Sequence, residues 1–324
     1  MVVSQNPLLG IAANRYVPYK KITFMRKLII LILITLVFNS CVTRKGYLKF
    51  DSVVPGIEPK VFAKNIIGKG NMYIGYCAFN KTGTEFYFAV TDKDWGTSRI
   101  CKISANNPSK VDTLFFVDKM WEGEPFINFD GDKMFFTSIL PPKENQPWHS
   151  DFYCVQKTDS GWSKPTLLKA PLNSTASEWH ISSTKNGILY FGSERGTNRL
   201  KADLYRAIPE NGQYKNVEKL PYPINTEFND CDPLIAPDES FLIFHSDRPG
   251  GYGAHDLYVC FRNKKNEWTS PKNMGPSINT QGWEMAPSLS PDGKYLFFTC
   301  RKDFQTLEAS KIFWVNIKIL DKFK

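Results

Sequence analysis

The amino-acid sequence predicts an all-β fold, a β-propeller of four-stranded blades, on three observations. A tight-turn signature followed by a Phe-rich apolar strand occurs five times. Other landmarks recur between these copies in constant phase. Helical periodicity is nearly absent, and a repeat of about fifty residues suits a four-stranded blade.

The turns come first. They read Lys81-Thr82-Gly83, Phe129-Asp130-Gly131, Lys185-Asn186-Gly187, Pro237-Asp238-Glu239 and Pro291-Asp292-Gly293, and their last residues step by 48, 56, 52 and 54. Asp-Gly and Asn-Gly supply the positive φ that tight hairpins need. The strands that follow, EFYF, KMFF, ILYF, FLIF and YLFF, carry the aromatic and aliphatic residues that a pleated surface favours. A third strand opens at Asp151-Phe152-Tyr153, Asp203-Leu204-Tyr205 and Asp256-Leu257-Tyr258. A fourth is expected at Gly161-Trp162-Ser163-Lys164-Pro165 and at Glu267-Trp268-Thr269-Ser270-Pro271. Pro171-Leu172-Asn173-Ser174, Pro223-Ile224-Asn225-Thr226 and Ser277-Ile278-Asn279-Thr280 lead into the next unit. The last unit lacks a fourth strand, and Pro59-Lys60-Val61-Phe62-Ala63 is available to complete it. Such a clasp ties both ends of the domain into one sheet and removes an exposed edge. Five blades are therefore expected.

SPDGKYLFF near the C-terminus, the Ser-x-Arg of Ser246-Asp247-Arg248, GGYG at 250–253 and DLY at 256–258 together resemble PD40 repeats. These are the WD40-like repeats of TolB-type propellers, common in Bacteroidetes lipoproteins. The resemblance covers roughly residues 58–320 and is strongest in units four and five. TolB has six blades, whereas a sixth would need some forty further residues that this chain does not offer.

The front of the chain reads as a targeting segment. Met25-Arg26-Lys27 is a short basic start, and the apolar run Leu28 to Phe38 precedes Asn39-Ser40-Cys41. Eleven residues at a helical rise of ~1.5 Å reach about 16 Å, half a bilayer core, so the run suits a signal and not a membrane span. A small residue before the cysteine resembles the lipobox of bacterial lipoproteins, which implies lipidation at Cys41. The expected organisation is an upstream extension over 1–24, a signal over 25–40, a lipid-attached linker over 41–57 and one propeller over 58–324. The implied location is the bacterial cell envelope, anchored by lipid, on the periplasmic side of the outer membrane.

Charge excludes one class of partner. The formal net charge is +9, but residues 1–40 hold five basic residues and no acid. The remainder is only mildly basic and gives no case for nucleic acid. The six later cysteines, Cys77, Cys101, Cys154, Cys231, Cys260 and Cys300, form no CxxC and read as free thiols. His149, His180, His245 and His255 fall at unrelated phases, so no metal site and no cofactor is expected.

Antiparallel blades place the Asp-Gly hairpins on one face and the inter-blade loops on the other. At the entry to the innermost strands stand Trp121-Glu122, Glu178-Trp179-His180, Asp230-Cys231-Asp232 and Trp283-Glu284. Glu122, Glu178, Asp230 and Glu284 share one repeat position and predict an acidic ring at the channel mouth, with Trp121, Trp179 and Trp283 beside it. Such a ring suits sugars, cations or basic side chains, and equally suits ties between blades through Arg195, Arg248 and Arg301.

Two functions follow. The first is a non-catalytic envelope lipoprotein that binds proteins or a glycan, because no Ser-His-Asp order and no Gly-x-Ser-x-Gly elbow is present. The second is a glycoside hydrolase using carboxylates from inner strands. Repetition speaks for the first: an acid–base pair needs unequal surroundings, which a repeated slot does not provide.

Overall fold

The structure is a computed structural model that describes residues 46–51, 53–67, 73–92, 96–117, 121–140, 149–196, 201–301 and 310–324. The expected leader and Cys41 lie outside these residues.

Five four-stranded antiparallel sheets form a five-bladed propeller. The innermost strands are Tyr73–Phe79, Trp121–Ile127, Glu178–Ser183, Asp230–Ile235 and Trp283–Leu289. Each returns through a hairpin whose last turn residue donates its N–H to the carbonyl three residues back, at Asn80, Asn128, Thr184, Ala236 and Ser290. Gly83, Gly131, Gly187 and Gly293 take that turn at φ between 67° and 82°, and Glu239 adopts 58° in the fourth. The motif predicted from sequence is thus the same turn in all five blades.

The fifth blade closes as expected. Lys60–Val61 pairs antiparallel with Lys311–Asn316, and Phe62 donates its N–H to the Ile312 carbonyl. Phe62 is fully buried among Phe79, Phe86, Phe297 and Trp314, with ring centroids 5.0–6.0 Å away. This contact locks the junction between blades five and one.

Strand alternation explains the rest of the core. Leu189 and Phe191 face blade two, whereas Tyr190 between them faces blade four. Five such clusters, one per blade junction, replace a single central core. All six cysteines among the described residues are free, and five are buried in these packing layers.

The fourth strands differ from expectation. Thr166–Leu167 and Lys272–Asn273 pair with the third strands only beyond the Trp-containing segments. Gly161–Trp162 instead folds back on the tail of its own third strand, and Trp268 forms a single bridge to Arg262. Pro165 and Pro271 follow those segments, and a residue without N–H ends pairing there.

The loops of Asn173, Asn225 and Asn279, which lead into the next blade, are tied to the third strand of the blade they leave. Asn225 accepts the Leu204 N–H at 2.7 Å and donates to the carbonyls of Leu204 and Leu220 at 2.8 Å each. Asn173 and Asn279 make the same reciprocal pair with Phe152 and Leu257. Asn225→Ala should leave a buried N–H and C=O unpartnered and cost about 2 kcal/mol. Thermal denaturation should then show a Tm lower by about 4–8 °C.

Candidate functional site

The four repeated acids are fully buried and committed to N–H groups of the loops before their strands, not to the channel mouth. Glu178 Oε1 accepts the Ser174 N–H and hydroxyl at 2.9 and 2.5 Å and meets the Arg195 guanidinium at 2.9 Å. Asp230 repeats this with Thr226 and with Arg248 at 2.5 Å. Glu284 binds Thr280 in the same way, and Glu122 accepts the N–H groups of Phe116 and Val117. Burial pushes the carboxyls of Glu122, Glu178 and Glu284 upward against these bonds. Arg301 takes a different partner, lying over the Tyr73 ring at 4.4 Å and donating to its hydroxyl.

The tryptophans are not one set. Trp121 lies over Gly123, where a Cβ would meet its ring at 2.5 Å. Trp283 stacks on His255 at 4.3 Å, and Trp179, one position further along its strand, donates to Glu194 at 3.2 Å.

Two residues beyond the repeated acid, every innermost strand bulges. The register breaks between Gly75 and Cys77, Gly123 and Phe126, Trp179 and Ile181, Cys231 and Leu234, and Met285 and Ser288. The residue at each break, Tyr76, Glu124, His180, Asp232 or Ala286, has positive φ, between 27° and 57°. Bulges re-aim side chains, and non-glycine residues at positive φ mark strain that functional sites often retain. Here the chemistry changes from blade to blade while the backbone repeats.

A bulge removes its residue's N–H from the ladder, and side chains of other blades recover it. Glu124 Oε2 accepts the His180 N–H and the Thr137 hydroxyl, both at 2.6 Å. Asp232 Oδ2 accepts the Ala286 N–H at 3.1 Å and lies 3.3 Å from His245 Nδ1. Thr299 accepts the Tyr76 N–H at 3.3 Å, and the Tyr76 and His180 rings stand 5.5 Å apart.

These contacts make the two carboxyls unequal. Burial pushes both upward, and two neighbouring carboxyls in a dry channel resist a second negative charge. Glu124 is raised well above the carboxylate range by burial and by the charge of Asp232; its own bonds are to neutral donors. Burial also opposes ionisation of Asp232, but His245, His180 and the Ala286 amide outweigh it and leave the group low. Burial holds the His180 ring toward its neutral form despite Asp232. Tyr76 is raised by burial and by both carboxyls, so its hydroxyl stays protonated. His255 is pushed down to about 3, by burial first and then by His245.

A cavity of about 460 Å³ opens on the hairpin face and reaches inward to His180. It ends one layer short of the carboxyl pair, and His180 belongs to both. No cluster able to hold a metal ion occurs among the described residues.

Of the residues expected from sequence, His180 and Asp232 meet in this cluster, whereas Glu122, Glu178, Asp230 and Glu284 are committed to loops. Tyr76, Glu124 and His245 were not anticipated. For Glu124 a signal was present: Pro125, like Pro233 and Pro287, follows the bulge residue at one repeat position, and proline inside a strand marks a bulge; Tyr76 and His245 carry no such mark.

Solved structures of varied activity are similar to this chain. An α-L-arabinofuranosidase from Lactobacillus brevis is 13% identical, with 75% of this chain and 89% of that one covered and a TM-score of 0.46. A thermostable family-43 glycoside hydrolase is 12% identical over 77% and 90% of the two chains, at a TM-score of 0.49. A prolyl endopeptidase is 12% identical over 74% of this chain and 33% of its own, at 0.41. At these values the likeness is one of fold. No family model matches the sequence, and no curated protein does.

The expectation of a non-catalytic binding propeller without catalytic residues is corrected. It rested on the equivalence of the repeated acids, but the channel holds an inequivalent pair. The asymmetry that sequence reasoning required of an acid–base pair exists two residues downstream of where it was sought.

Proposed function

We propose that the protein is a glycoside hydrolase whose reacting groups are Glu124 and Asp232. The observation that carries this reading is the opposite perturbation of two neighbouring buried carboxyls on strained bulges of one channel. Cleaving a glycosidic bond needs a carboxylic acid that is still protonated at working pH and a carboxylate that is already ionised. Glu124 supplies the proton to the departing oxygen. Asp232, ionised, takes a proton from the water that bonds to the anomeric carbon as the glycosidic C–O bond breaks. Tyr76 and neutral His180, beside the two carboxyls, would hydrogen-bond substrate hydroxyls. Reducing-sugar release from a panel of polysaccharides and oligosaccharides tests the proposal: the protein should release product and Asp232→Asn should not. Absence of release from every substrate would overturn it.

His245 should set the acid limb of the pH profile. It lies against Asp232 Oδ2, and its removal leaves His180 and one amide to oppose burial. In His245→Gln the Asp232 carboxyl should rise, so activity lost as pH falls should be lost at higher pH. The alkaline limb, governed by Glu124, should stay in place; log kcat/KM against pH reads both.

The PD40 character of the repeats and export with lipid attached at Cys41 are part of the same proposal, supported by the repeat motifs and the leader pattern. Incorporation of labelled palmitate that is lost in Cys41→Ser would support the anchor.

A further inference from the structure

The cavity on the hairpin face has walls unlike those of a sugar subsite. Phe79, Phe126, Phe129, Leu234 and Leu289 supply apolar surface, and Phe129 at the rim is partly exposed. Most of its polar side chains, Lys81 and Ser183 apart, are already committed. Asn80 accepts the N–H groups of Thr84 and Glu85, and Asn128 binds Asp132 and the Lys133 N–H. Ser290 receives two N–H groups and donates to Asp292, which also accepts the Tyr47 hydroxyl. Ser182 accepts the Ile235 N–H, and Ser288 pairs with Cys77. A pyranose in this space would trade the water on its hydroxyls for groups that are already satisfied, which disfavours it.

One buried polar atom lacks a partner there. His180 is 2% exposed, and its Nδ1 makes no hydrogen bond. The same residue gives its backbone N–H to Glu124, the proposed proton donor. A guest that fits is flat, apolar and uncharged, with one oxygen at its inner end, and a volume of about 460 Å³ exceeds what a single aromatic ring needs.

We infer that this cavity takes the aromatic leaving group of the substrate, so that the natural substrate is a glycoside of a phenol or similar aryl alcohol. The inference rests on the hydrolase reading for the word leaving group, but binding alone can decide it. The glycosidic oxygen would sit beside His180 at the inner end of the cavity, with Glu124 and Asp232 one layer further in.

The probes are 4-nitrophenyl glycosides and the methyl glycosides of the same sugars, titrated calorimetrically into the full chain. At least one 4-nitrophenyl glycoside should bind about 10- to 100-fold more tightly than its methyl counterpart, the range that burying one ring supports. Ser288→Phe, which fills the cavity, should abolish that preference. Should that variant fail to fold, Phe129→Ala at the rim should reduce the preference several-fold. Equal binding of aryl and methyl glycosides across the panel, or a preference unaltered in both variants, would overturn the inference. Failure of the hydrolase reading looks different: aryl preference in binding with no phenol released from any probe. Hydrolysis of oligosaccharides without aryl preference would sink the inference and leave the hydrolase reading standing.

Discussion

Glu124→Gln is expected to lower kcat at neutral pH by about 10²- to 10⁴-fold, the usual contribution of a positioned acid. The Tm should barely change. Glutamine keeps a carbonyl oxygen for the His180 N–H and the Thr137 hydroxyl. It is also close in shape and charge to the protonated carboxyl that burial and Asp232 enforce. The pH profile separates this role from a structural one. Wild-type activity should fall as pH rises through the raised Glu124 pKa and as it falls through the lowered Asp232 pKa. In Glu124→Gln the alkaline fall should vanish while the acid limb remains. Substrates with good leaving groups, which need little protonation, should lose far less rate than those with poor ones. Uniform loss across leaving groups would remove Glu124 from the role of acid.

Asp230→Ala should produce the largest loss of stability, about 3–5 kcal/mol, because it removes one partner of a buried ion pair. The Arg248 guanidinium would lose a 2.5 Å contact, and the Thr226 N–H and hydroxyl would lose their acceptor at the junction of blades three and four. Thermal denaturation should show a Tm lower by on the order of 10 °C. Asp230→Asn keeps an acceptor for Thr226 and should lie between. The double change Asp230→Ala with Arg248→Met should recover part of the loss, since it leaves no unpaired charge behind.

The fold was legible because it is written in local chemistry repeated five times. Gly83, Gly131, Gly187 and Gly293 sit where only a positive φ closes the hairpin, and Phe62 follows a short strand with no partner nearby in sequence. The site was only half legible. Repetition drew attention to Glu122, Glu178, Asp230 and Glu284, and repetition is the mark of a scaffold contact, here a carboxylate capping a loop. Glu124 hides because its blade equivalents are Tyr76, His180, Asp232 and Ala286, which share no side-chain chemistry. What they share is a backbone conformation, which Pro125, Pro233 and Pro287 mark in three blades and which the strand register shows in all five. The fourth strands were misplaced for a related reason. Trp162 and Trp268 look like strand residues, but Pro165 and Pro271 decide where pairing resumes.

Five left-handed residues around one channel carry a thermodynamic consequence. Each non-glycine residue held there costs roughly 1–2 kcal/mol, so the ring as a whole withholds an amount comparable with the net stability of an ordinary domain. Glycine at these positions would relax the backbone and erase the side chain together. Laboratory selection for heat resistance alone should therefore reach Ala286→Gly first, where no reactive group is lost. At Glu124 and Asp232 the same change would strip the acceptors from the His180 and Ala286 N–H groups and from the Thr137 hydroxyl, so there the strain is retained because its relief would orphan buried donors.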